Sequence, residues 1–254
     1  MAVIKFTATR LTGTGKRGIL KPDADGYYTM PVGGLNVVNS VGQYYTADGA
    51  RQLFEQSGAL VRRIKNGCLK GEVGHPKKEP GMSDEQYMNR VLHIEETNVC
   101  CFFKEIWLDD SYGKNNPEFK NPDLVAIMAK IKPSGPKGEQ LQKAFDDPDQ
   151  NVCFSIRSLT RDYYEKGKCY RVLQLINTWD LVTEPGLTLA TKWNSPALES
   201  LTETTVSENT IERIAKTQAG ISLESTQLAQ ECLTLIRSPI REPSKIPLYS
   251  SWGG

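Results

Sequence analysis

The sequence predicts an α+β fold with a helical tail, on three observations. Runs of β-branched and aromatic residues dominate the first 190 positions. Helical spacing of apolar residues interrupts them only over short stretches. Beyond about residue 193 the balance reverses and helical spacing takes over. At 254 residues the chain is long enough to bury a full core.

Residues 2–9 alternate as a strand, and 11–16 form a Gly/Thr-rich turn. Two more strands, 27–30 and 35–38, are expected on either side of Pro31-Val32-Gly33-Gly34. Thr46 suits an N-cap, and Ala50, Leu53, Phe54, Leu60, Val61 and Ile64 then recur at helical spacing until Asn66-Gly67 stops the run. A strand over 68–73 follows and delivers His75. Residues 77–90 are polar and read as a surface loop, 91–108 as one or two strands, and 109–123 as an exposed insertion. The apolar stretch 124–131 is a buried strand, broken by Pro133-Ser134-Gly135-Pro136. A short helix over 138–145 puts Leu141, Ala144 and Phe145 on one side. Strands over 151–158 and 169–176 complete the body, the second running on through Trp179-Asp180-Leu181-Val182.

This divides the chain at residue 193. Residues 1–193 form the body, and 194–254 form a tail in which 194–209 is a Ser/Thr/Glu-rich linker. Ile211, Ile214, Ala215, Leu228, Ala229, Cys232, Leu233 and Ile236 mark an amphipathic helix interrupted near Gly220, and 239–254 is an extended end.

The bulk chemistry excludes several classes. A net charge of +1 lacks the basic excess of a generic nucleic-acid binder. Six cysteines without a CxxC pair, beside only two histidines, leave few zinc ligands, so the expectation is reduced, mostly buried thiols and no metal. Met1-Ala2-Val3-Ile4-Lys5 lacks the apolar core of a secretion signal, and no apolar run reaches membrane-spanning length.

Serine needs a base to become a nucleophile, and the base needs a third group to orient it. His75 sits at a strand end between Gly74 and Pro76, which restrict the backbone, whereas His93 falls within an expected strand. Ser155 lies in an apolar strand on the face it shares with Cys153 and Arg157, and Ser158 is the rival hydroxyl on the other face. Arg157 is either a surface charge or part of a site for an acidic or oxyanionic group. There is no G-x-S-x-G, so a nucleophile elbow is not indicated.

These segments resemble a known family. Gly71-Glu72-Val73-Gly74-His75-Pro76, the helix feeding it, Gly135-Pro136 with the helix behind it, Ser155-Ile156-Arg157, and the Thr178-Trp179-Asp180 run look like the prohead maturation proteases of T-even and giant tailed phages. The resemblance covers residues 35–190 in order. It implies a herpesvirus-assemblin-like fold, a mainly antiparallel β-barrel-like body surrounded by helices. It also implies a serine endopeptidase with Ser155 as nucleophile and His75 as base, without a cofactor. Asp180 lies where herpesvirus enzymes place a second histidine and is the expected third member, with Glu105, Asp109 and His93 as further candidates. Arg157, or the basic cluster Arg62, Arg63, Lys65, Lys70, Lys77 and Lys78, is the expected partner of a substrate carboxylate. Such proteases are zymogens that act inside the prohead in the host cytoplasm, as single chains or homo-oligomers. They cut scaffold, internal head and major capsid proteins after a glutamate that has a small or aliphatic residue two positions earlier, as in Leu-x-Glu. Ala197-Leu198-Glu199 and Ser222-Leu223-Glu224 fit that pattern, making Glu199 and Glu224 the expected self-cleavage sites.

Overall fold

The structure is a computed structural model and describes residues 3–7, 20, 22–39, 42–55, 58–147, 149–192, 203–216 and 223–237. In chain order the elements are β1 (Val3–Thr7), β2 (Tyr28–Leu35), β3 (Val37–Val38), β4 (Gln43–Tyr45), α1 (Ala59–Lys65) and β5 (Lys70–Glu72). They continue as α2 (Asp84–Leu92), β6 (Val99–Asp109), α3 (Tyr112–Asn115), β7 (Val125–Pro133), α4 (Gly138–Asp146), β8 (Cys153–Glu165) and β9 (Lys168–Val182). The described chain ends with β10 (Glu203–Ser207), α5 (Glu208–Lys216) and α6 (Leu223–Arg237).

The strands form two sheets, ordered β10-β1-β8-β9-β4-β3 and β2-β7-β6-β5. Pairing is antiparallel except between β4 and β9. The fold is thus α+β with two largely antiparallel sheets. In place of a continuous barrel, the described sheets join at one corner, where Val73 forms a parallel bridge with Leu181. The β8–β9 hairpin is the long central ladder, closed by the two-residue Lys166-Gly167 turn.

Between the sheets lies the main core. Phe103 on β6 meets Phe154 on β8 at 6.0 Å and Trp179 on β9 at 5.9 Å, ring centre to ring centre. Phe145 on α4 stacks on Tyr28 of β2 at 4.2 Å, so the helix expected over 138–145 buries the face its spacing predicts. A second core covers the other face of the larger sheet. There Leu159 and Leu175 pack with Met88 and Leu92 of α2, Ile211 and Ile214 of α5, and Leu228 and Cys232 of α6.

Several expectations give way to tertiary context. Pro31-Val32-Gly33-Gly34 does not separate two strands but lies inside β2, which accommodates it with a bulge between Pro31 and Gly33. The helix expected from Thr46 is instead a 3-10 turn at Arg51–Phe54 followed by α1, which starts after Gly58. Residues 84–92 are a helix rather than a loop, because Ser83 and Gln86 form a capping box. Of the expected linker, 194–202 lies outside the described residues, while Glu203–Ser207 pairs antiparallel with β1. The break near Gly220 and the extended end also lie outside the described residues. The cysteines are free thiols, four buried, Cys169 intermediate and Cys68 exposed.

Candidate active site

β5 is short, yet it positions the histidine. A Cβ built on Gly71 would stand 2.5 Å from the Trp179 carbonyl oxygen and 2.7 Å from Cys101 Sγ, so only glycine lets β5 approach β9 this closely. The Thr178 hydroxyl donates to the Lys70 carbonyl at 2.5 Å, and the Gly74 N–H donates to the Leu181 carbonyl at 2.7 Å. Gly74 has φ +75°, a left-handed conformation that turns the chain back toward β9 immediately before His75. Asn98 fixes the same turn by donating from Nδ2 to the Val73 carbonyl at 2.7 Å.

The turn brings His75 Nδ1 within 2.7 Å of Asp180 Oδ2. Asp180 is fully buried on β9, on the face opposite to the core residue Trp179. Directly across the ladder from Asp180 is Ser155. Cross-strand partners carry their Cβ atoms about 5 Å apart on one face of the sheet. The structure therefore places both His75 and Ser155 beside Asp180. Ser158 is displaced from it, three residues along β8 from Ser155 and so on the opposite face of the strand.

Arg157, expected at a substrate carboxylate, lies instead inside the protein, with a relative exposure of 0%. Its Nε donates to Asp180 Oδ2 at 2.8 Å and its Nη2 to Asp180 Oδ1 at 2.6 Å, a two-point fork. Nη2 also lies 3.1 Å from Glu72 Oε1, and Nη1 donates to the His93 carbonyl at 3.1 Å. Glu72 is equally buried, and takes a second fork from Arg90 on α2 at 3.1 and 2.5 Å, plus the Glu95 N–H at 2.9 Å. Burial pushes the Asp180 carboxyl up, but the charge of Arg157 and the hydrogen bond from His75 outweigh it and hold it below the usual carboxylate range. The Arg157 guanidinium is raised in turn: burial disfavours its charge, and Asp180 and Glu72 together more than compensate.

Glu72 and Arg90 carry parts of this network that residue types alone did not reveal. The Ser83-x-x-Gln86 capping signature was the available signal, since it makes α2 a helix that ends with Arg90 facing β5. His93 is not in a strand; it closes α2 and contributes its carbonyl. Glu105 and Asp109, the two further carboxylates considered for the third position, lie on β6 beyond the segment that pairs with β5. There Glu105 is beside Lys130 and Asp109 accepts from Ser111. In the basic cluster, Arg63 is buried against the Asn177 side chain and the Ile176 carbonyl, while Arg62, Lys70 and Lys78 pair with Glu231, Glu96 and Asp84. Glu224 is the second residue of α6, and Glu199 lies outside the described residues. No group of metal-ligating side chains occurs among the described residues, and no described helix is long and apolar enough to cross a membrane.

The chain is 38% identical over 194 residues to the capsid maturation protease of Pseudomonas phage phiKZ, a match covering 75% of this chain and 69% of that protein. Among solved structures it is similar to the bacteriophage T4 capsid assembly protease gp21, with TM-score 0.40 and 12% identity over 72% of this chain and 99% of that one. Residues 6–234 match the Peptidase S80 family, a span that takes in the histidine turn, the β8–β9 ladder and α5. The chain belongs to the peptidase S80 family.

Proposed function

We propose that this chain is a serine endopeptidase of phage head maturation, made as a self-processing zymogen that cuts scaffold, internal and capsid proteins after glutamate. The observation that carries the reading is the 2.7 Å contact between His75 Nδ1 and Asp180 Oδ2, with Ser155 directly opposite Asp180 on the neighbouring strand. Ser155 Oγ attacks the scissile carbonyl carbon. His75 Nε2 takes the hydroxyl proton and then gives it to the leaving amine. Asp180 accepts from Nδ1, which selects that tautomer, and stabilises the imidazolium formed in between. Water then repeats the cycle on the acyl-enzyme, releasing the new carboxylate and restoring Ser155.

The similarity to a phage capsid maturation protease supports the substrate class and a site of action inside the assembling head. The two-sheet body with flanking helices supports a herpesvirus-protease-like fold. With the donors of Arg157 engaged inside the protein, the cation we assign to the glutamate carboxylate is Lys77, exposed and two residues beyond His75. Ser155 and the His75 side chain are 7% and 8% exposed, a degree of closure that suits a precursor. Glu199 and Glu224 are our proposed self-cleavage sites, and cutting after Glu224 requires the first turn of α6 to open.

The decisive experiment compares Ser155→Ala with Ser158→Ala by intact mass and by turnover of a Leu-x-Glu peptide. Loss of self-processing in the first and survival in the second is expected. Unchanged processing in Ser155→Ala would refute the assignment.

A further inference from the structure

We propose that Arg157 is a positioning residue: its fork clamps the Asp180 carboxylate in the plane that serves His75, while Glu72 and Arg90 hold the fork in place. The inference rests on the triad reading and deepens it.

Asp180 Oδ2 is shared by His75 Nδ1 at 2.7 Å and Arg157 Nε at 2.8 Å, while Arg157 Nη2 occupies Oδ1 at 2.6 Å. A carboxylate held at both oxygens by one planar group has no freedom to rotate away from the imidazole. A lysine at 157 would supply the charge without the plane. The clamp is itself held, since Arg157 also reaches Glu72 Oε1 and the His93 carbonyl, and Glu72 is locked by Arg90 and the Glu95 N–H.

The charges balance. Asp180 and Glu72 contribute two negative charges, Arg157 and Arg90 two positive ones, so the imidazolium that forms during reaction is the one unbalanced charge of this described network. From the elements packed here, further titratable groups include Tyr87 on α2, whose hydroxyl donates to the Pro76 carbonyl, His93 at the end of α2, and the thiols of Cys100 and Cys101 on β6. Burial pushes the Cys101 thiol up, so it stays neutral. Deleting the positive charge of Arg157 therefore favours the imidazolium, and deleting the negative charge of Glu72 disfavours it. These opposite shifts report the two charges at the histidine, and the charge-conserving Arg157→Lys tests the planar fork itself.

The test uses the full chain carrying Ser155→Ala, which blocks self-processing, and follows the His75 imidazole by NMR against pH, with His93→Gln assigning the second histidine. Arg157→Met is expected to raise the His75 midpoint and Glu72→Gln to lower it. Should Arg157→Met fail to fold, Glu72→Gln alone and the charge-balanced double variant Arg157→Met/Glu72→Gln carry the comparison, the double variant falling between. In the active chain, Arg157→Lys is expected to lower kcat on a Leu-x-Glu peptide about 100-fold with KM within about twofold, the loss expected of a misplaced catalytic group. Coincident histidine titrations across the variants would overturn the clamp. So would a rise in KM at unchanged kcat, which would return Arg157 to substrate binding. A wild-type chain that cleaves nothing while the titrations diverge would refute the protease reading and leave the clamp standing.

Discussion

Gly71 lies against the Trp179 carbonyl oxygen so closely that a β-carbon there would stand 2.5 Å away. This contact lets β5 lie along β9, and the next turn of chain places His75 on Asp180. Gly71→Ala is expected to push the two strands apart, costing about 1–3 kcal/mol of stability as overpacking does. Because the displacement falls on the histidine turn, turnover should drop further than the melting temperature suggests. Peptide cleavage measured well below the melting transition separates the two effects.

Asp180→Asn keeps the shape but removes the charge that Arg157 and His75 share. An amide in this place can present its NH2 to Nδ1 and hold the wrong tautomer. Turnover is expected to fall about 10⁴-fold, the size of loss seen for this change in other triads. Thermal melting should also reveal a loss of about 3–5 kcal/mol, because a buried arginine loses one of its two carboxylates.

Acid should destabilise the protein through the same group. The Asp180 carboxyl is held below its ordinary value of 3.8, chiefly by Arg157 acting against burial. Near that pH the unfolded chain binds a proton that the native chain does not, so stability rises with pH there. The contribution is complete above pH 3.8 and is lost as pH falls through the lower native value. Urea midpoints taken from about pH 6 down to about pH 2.5 should fall more steeply for the wild type than for Asp180→Asn.

Helix α1 begins after Gly58, an N-cap residue that offers no side-chain acceptor, and α6 supplies the missing one. Glu231 Oε2 accepts from the Ala59 N–H at 3.0 Å, and Oε1 from Arg62 at 3.0 Å. Glu231→Ala is expected to cost about 1 kcal/mol, as loss of an N-cap does. Arg62→Ala should cost much less, since its side chain is 46% exposed and the ion pair is screened. Denaturant midpoints of the two single variants check the difference.

Ser83→Ala removes one half of the capping box on α2. The expected loss is about 1 kcal/mol. The helix ends at the His93 carbonyl that Arg157 uses, so a small fall in turnover should accompany the lower melting temperature. Ser83→Asp, which still caps, should restore both.

Much of the architecture was legible along the chain. The buried strand at β7, the helix with Leu141, Ala144 and Phe145 inward, and the long strand ending in Trp179-Asp180-Leu181-Val182 all announce themselves by local pattern. Positions 31–34 did not, because a proline and two glycines oppose strand formation until pairing with β7 absorbs them in a bulge. Residues 203–207 read as a polar linker for a similar reason, since only β1, at the opposite end of the chain, gives their backbone a partner.

The sequence by itself determined which residues have the chemistry for a site: a restrained histidine, a serine in an apolar strand, and an aspartate near the end of the next strand. Tertiary structure decided their relations. Ser155 and Asp180 face each other because a hairpin fixes their register, and His75 reaches Asp180 because a glycine permits a close strand approach. It also decided that Arg157 turns inward to Asp180 and Glu72. A guanidinium looks the same on a surface as in a core, and only the partners brought to it by β5, β9 and α2 make its burial favourable.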